Sequence, residues 1–193
     1  GLPEDHTKGT RPGEPTPRAA VASNDYGLGL VVERVSHSKY WPEIAFFVIE
    51  DDAQDGADHV DARRTTGYVI SPYVRRGSVD STFYTTCSML RTMELILGLQ
   101  PMSQYDAATN AMFACFADTP ELTPFDHIEP RIDIQERNTQ TAWGAEDSMK
   151  MDFSDYDRTP MFALNEIVCK SVKGPDSEMP VPVHRFNTAS IRE

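Results

Sequence analysis

Glu50-Asp51-Asp52-Ala53-Gln54-Asp55-Gly56-Ala57-Asp58-His59-Val60-Asp61 follows directly on the apolar run Ile44-Ala45-Phe46-Phe47-Val48-Ile49, and a second apolar run, Tyr68-Val69-Ile70, lies just beyond it. Short apolar runs bounded by turn signals read as buried strands. The order is therefore strand, acidic loop, strand. In open α/β sheets, ligands bind outside the carboxyl ends of strands. The acidic stretch carries six carboxylates and one imidazole, donors that suit a hard or borderline divalent cation. A run of charge is also the ordinary make-up of a solvated turn. The position after a buried strand, together with His59, keeps the cation reading beside that one.

Outward from this stretch, the chain has 193 residues, enough for one domain with a sizeable core. Thirty acids against 18 bases give a formal charge of −12. No basic stripe of the kind a nucleic-acid binder shows is present. No apolar run reaches membrane-spanning length, and no signal peptide is seen. The opening on Gly1 rather than Met reads as a processed product or a fragment. Cys87, Cys115 and Cys169 stand singly in apolar segments. An odd count without short spacings argues against a disulfide framework or a zinc knuckle, and the three read as buried thiols.

Residues 1–20 are rich in Pro, Gly and Thr, and Pro12, Pro15 and Pro17 exclude a continuous helix there. The segment reads as a flexible tail, with Asp5-His6 as a carboxylate–imidazole pair able to ligate a metal. Asn24 is the expected N-cap of a helix to about His37, with Leu28, Val31, Val32 and Val35 on one face. His37 near its end suits a helix cap better than catalysis. Beyond the second strand, Arg75 and Arg76 lie in a turn, placed to hold a phosphate, to offset the acidic loop or simply to be solvated. Ser81 is the expected cap of a helix over about 82–97, stopped by Gly98. Met89 and Met93 read as core filler. Asp106 opens a shorter helix through Phe116. From Asp118 to Asp157 the pattern fades into an extended wrapping segment, with a short strand expected at Ile132-Asp133-Ile134. So long a stretch without regular structure suggests that it drapes over a partner surface. Thr159 and Pro160 then read as N-cap and first residue of a last helix, ending near Gly174. The tail 175–193 is expected to be mobile. The division expected is 1–117 for the α/β part and 118–193 for the wrapping segment with its terminal helix.

Several motifs are absent: a Gly-rich phosphate loop, a dinucleotide fingerprint and a Gly-x-Ser-x-Gly elbow. An EF-hand register anchored on Gly56 puts Ala53 and Ala62 at ligand positions, so it fails. A metal here therefore needs donors from elsewhere in the chain. Asp51, Asp52 and His59 are the natural ligands in the loop, and Asp5 and His6 the natural distant contributors. Two such clusters suit a metal pair that clamps the attacking and leaving oxygens of a phosphate ester. The cations would also bring an anionic ester to an acidic surface.

The runs Leu2-Pro3-Glu4-Asp5-His6-Thr7, Phe47 through Asp61, and Val69-Ile70-Ser71-Pro72-Tyr73 resemble the bacterial phosphoesterase family, which includes phospholipases C and acid phosphatases within the alkaline-phosphatase superfamily. The stretch from Asp80 through Ser88-Met89-Leu90-Arg91-Thr92-Met93-Glu94 to Gln104-Tyr105-Asp106-Ala107-Ala108 continues the resemblance. It covers residues 1 to about 120 well and fades toward 185. The most similar family members carry this domain after a surface-repeat β-propeller.

The resemblance implies an α/β fold, a mainly parallel sheet flanked by helices, of which this chain is a partial domain. It implies a divalent metal (Zn, Mn or Ca) held by Asp5, His6, Asp51 and Asp52, with His59 as ligand or phosphate contact. It leads us to expect a histidine where Arg63 stands; an arginine there suits phosphate instead. The family's first metal-binding acid and its nucleophile lie upstream of the Asp-His-Thr segment. The catalytic nucleophile is therefore expected on an upstream part of the same polypeptide or on a second chain, and the isolated chain is expected to hydrolyse phosphate esters feebly or not at all. The family context implies a periplasmic or secreted location. The competing expectation is a non-catalytic acidic module that binds a cation or a partner.

Overall fold

The computed structural model describes residues 6–50, 56, 58, 60–155 and 158–185. In chain order its regular elements are helix α1 (Pro17–Ser36), strands β1 (Phe46–Ile49) and β2 (Gly67–Ile70), and helices α2 (Thr86–Leu97), α3 (Gln104–Ala107), α4 (Ala145–Lys150) and α5 (Met161–Lys173). The chain forms two compact units. The first comprises 1–34, 52–65 and 126–193, and the second 35–51 and 66–125.

In the first unit, α1 begins well before Asn24, and its last two residues belong to the second unit. Pro17 starts it. Proline at the first helical position costs no hydrogen bond and presets φ, while Thr16 Oγ1 accepts the Ala19 N–H at 3.2 Å and caps the turn. Pro160, rather than Thr159, holds the N-cap position of α5. Gly174 at φ 104° ends that helix, as its position after the apolar pattern predicts. Met151, Leu164 and Ile167 form the core cluster, with Phe153 and Val168 against it.

Residues 8–16 are packed, contrary to the flexible tail expected for residues 1–20. Thr10 is 2 % exposed; its N–H donates to Ser148 Oγ at 3.1 Å and its hydroxyl to the Trp143 carbonyl at 2.8 Å. The Asn138 side-chain amide faces the carbonyls of Gly9, Arg11, Glu14 and Pro15 at 2.9–3.3 Å. Its backbone exchanges hydrogen bonds with Gly13 and Glu14. One asparagine thus supplies the partners that a segment without helix or sheet otherwise lacks.

His127 packs against α1. Its Nδ1 lies 2.8 Å from Glu33 Oε1 and its Nε2 3.3 Å from Glu129 Oε1, and its ring meets Tyr26 edge-on at 5.5 Å. Glu33 foremost, then Glu129, raises the imidazole above its ordinary pKa. The folded state therefore favours the protonated ring. This contribution to stability is complete below the unfolded value of about 6.5 and is lost as pH rises through the folded value. Denaturation midpoints should fall between neutral and mildly alkaline pH in the native chain, and His127→Gln should remove that slope. An unchanged slope in the variant would contradict this assignment.

In the second unit, β1 pairs antiparallel with β2, Phe46 opposite Ile70 and Ile49 opposite Gly67. The order strand, acidic loop, strand agrees with the sequence, but the strands are half-buried to exposed rather than buried. These two strands make up the sheet among the described residues; the larger, mainly parallel sheet remains an expectation from the resemblance. Helix α2 ends at Gly98 in the left-handed region, φ 68°. It starts later than Ser81 predicts. Asp80 accepts the Thr82 N–H at 2.9 Å and the Tyr84 hydroxyl at 2.9 Å, a local turn that competes with helix. Met89 is buried, as expected for core filler.

Asp106 does not open a helix to Phe116. Ser103 caps the short α3, and Asp106 answers from its third position by accepting the N–H groups of Met102 and Ser103. A separate 3-10 turn covers Phe113–Cys115. The strand expected at 132–134 is a turn, because Asp133 Oδ1 captures the Gln135 N–H at 2.9 Å. The three cysteines are free and half-buried rather than fully buried.

Candidate functional site

The acidic loop is described at Gly56, Asp58 and from Val60 onward; Asp5, Asp51, Asp52 and His59 lie outside the described residues. Gly56 sits against Asn165 of α5, where an added Cβ would come within 3.4 Å of the amide nitrogen. Asp58 Oδ1 accepts the N–H groups of Val60 at 2.7 Å and Asp61 at 3.2 Å. Its Oδ2 takes both Arg64 Nε and Nη2, at 3.1 and 2.9 Å. The Val60 N–H foremost, with Arg64 adding to it, holds Asp58 below the usual carboxylate range. Such a turn forms because aspartate reaches its own backbone two and three residues on.

Asp61 is 4 % exposed. Its Oδ1 accepts the Arg63 N–H at 3.0 Å and lies 3.4 Å from Arg63 Nε, while Oδ2 accepts the Arg185 N–H at 2.9 Å. Both carboxylates are thus engaged in shaping the loop. The spacing Asp58-x-x-Asp61, followed by two arginines, carries that signal in the sequence. Read as cation ligands, these acids conceal it.

His6 is exposed and borders a cavity of about 50 Å³ lined also by Thr7, Lys8, Glu14, Pro15 and Ala20. Thr7 Oγ1 is buried without a hydrogen-bond partner among the described residues, and Lys8 pairs with Glu14 at 2.9 Å. Arg63 belongs to the same unit as His6; Arg75 belongs to the other. Arg75 Nε donates to the Phe116 carbonyl at 3.1 Å. Arg76 donates to the Glu121 carbonyl at 2.8 Å and stacks over Phe125 at 4.3 Å. Both arginines thereby tie the turn to the following segment, a role that their sequence does not announce.

Among the described residues, no three His, Cys, Asp or Glu side chains converge on a metal-sized site. Also among them, no helix is long and apolar enough to cross a membrane. The described part of the loop is a hydrogen-bonded turn, and the described part of the Asp-His-Thr segment borders a small polar cavity. No family model matches the chain, and no curated protein or solved structure matches it.

Proposed function

We propose that the chain is part of a metal-dependent phosphoesterase, with Asp5, His6, Asp51, Asp52 and His59 as the cation ligands. The observation that carries this reading is the co-occurrence of Asp5-His6-Thr7 with the Glu50–Asp61 run after an apolar strand. The engagement of Asp58 and Asp61 within the loop supports it by narrowing the loop's ligand candidates to the acids before them and His59.

The reading assigns the nucleophile to another segment or a second chain. Leu95, Ile96, Leu97 and Leu99 are 42, 56, 68 and 55 % exposed, and a two-stranded sheet is marginal by itself. Apolar surface of that kind fits a chain that packs against further polypeptide. The test is turnover of a chromogenic phosphodiester and monoester with Zn²⁺, Mn²⁺ or Ca²⁺ added. The expected result is no turnover, or feeble turnover that requires the cation and is lost in Asp52→Asn; robust saturable turnover by this chain alone would refute the placement of the nucleophile elsewhere. Turnover indifferent to chelator, or undiminished in that variant, would overturn the reading. No metal at Asp51 and Asp52, even in a crystal soaked with these cations, would favour the non-catalytic acidic module.

A further inference from the structure

The C-terminal segment, expected from its sequence to be mobile, returns to the distal half of the acidic loop. Val183 uses both of its backbone groups there: its N–H donates to the Asp58 carbonyl at 3.2 Å, and its carbonyl accepts the Ala62 N–H at 2.7 Å. Two residues on, the Arg185 N–H donates to Asp61 Oδ2 at 2.9 Å. Asp61 and Ala62 are each 4 % exposed. These three hydrogen bonds are made through the backbone of the tail, and Val181 beside them is 82 % exposed. The turn thus offers a carbonyl, an N–H and a buried carboxylate oxygen to an extended peptide. Recognition through main-chain groups is the physics of strand addition.

We propose that Asp58, Asp61 and Ala62 form a docking site for an extended peptide, whose resident ligand is the chain's own segment 181–185. Docking satisfies the Ala62 N–H, a group that is costly to leave unpaired when buried. The tail is therefore a strap that orders this part of the loop. Its expected consequence for cation affinity rests on the proposed function; the docking itself does not.

The test uses the full chain with Val183→Pro and Arg185→Pro, which remove the two donor N–H groups of the strap. Amide exchange at Ala62 should accelerate at least about tenfold in Val183→Pro, with α2 unchanged, as expected for local opening. Arg185→Pro should accelerate exchange at Arg63, whose N–H shares the Asp61 carboxylate. A synthetic peptide of the native 179–187 sequence, added in excess to the full chain carrying both prolines, should restore protection. Unchanged exchange at Ala62 and Arg63 in both proline variants would overturn the proposal, as would a peptide that restores nothing. In the same samples, Mn²⁺ affinity reports separately. If the native chain binds no cation but the exchange results hold, the proposed function fails and the docking site stands.

Discussion

Asn138→Asp should destabilise the first unit by about 3 kcal/mol or more, measured by chemical denaturation, because it replaces a shared donor with a buried charge. Asn138 is 7 % exposed, and its amide nitrogen is the donor to Gly9, Arg11, Glu14 and Pro15. Aspartate is nearly the same size but presents oxygen to those four carbonyls. Asn138→Ala should cost less, about 2 kcal/mol, because it removes the donor without adding a charge. The order of the two variants decides between causes: a role through shape alone would make alanine the worse substitution.

Gly144→Ala should be comparably harmful, at about 2–4 kcal/mol, through strain and overpacking together. Gly144 has φ 76°, and a Cβ there would lie 2.7 Å from Ile167 Cγ1. Ile167 is 3 % exposed in the core of the first unit, so it has little room to withdraw. Gly144→Ala combined with Ile167→Ala, which removes Cγ1, Cγ2 and Cδ1, should cost less than the two single losses added together if the clash contributes. Full additivity of the two losses would show that the clash contributes nothing and that the backbone strain acts alone.

The strand–loop–strand order around the acidic run was legible because apolar runs and a charge cluster are local signals. So were the stops of α2 and α5 at Gly98 and Gly174, where the helix pattern and a permissive residue coincide. Helix starts were harder to read. Thr16-Pro17 looks like a helix breaker until the proline is placed at the first helical position, and Asp80 diverts the chain that Ser81 would otherwise cap. The packing of residues 8–16 was illegible for a different reason. It depends on Asn138, which lies 123 residues beyond Pro15 in the chain, and no local pattern reports such a partner. The same holds for Asp61 and the Arg185 N–H.

For the candidate site, residue chemistry alone could not separate ligands from structural carboxylates. Asp58 and Asp61 carry the same functional group as Asp51 and Asp52. Their spacing and their hydrogen bonds, rather than their chemistry, identify them as parts of a turn. Arg63 illustrates the same limit. Its neighbour Asp61 engages it, a contact that its residue type does not announce.

The central claim is that His6 and Asp52 serve one cation site. Calorimetric titration of Mn²⁺ into the native chain, His6→Ala and Asp52→Asn tests it most directly. The account predicts saturable binding by the native chain and a loss of at least about tenfold in affinity, roughly 1.4 kcal/mol, in each variant. An isotherm left unchanged by His6→Ala, with binding lost only in Asp52→Asn, would contradict a shared site.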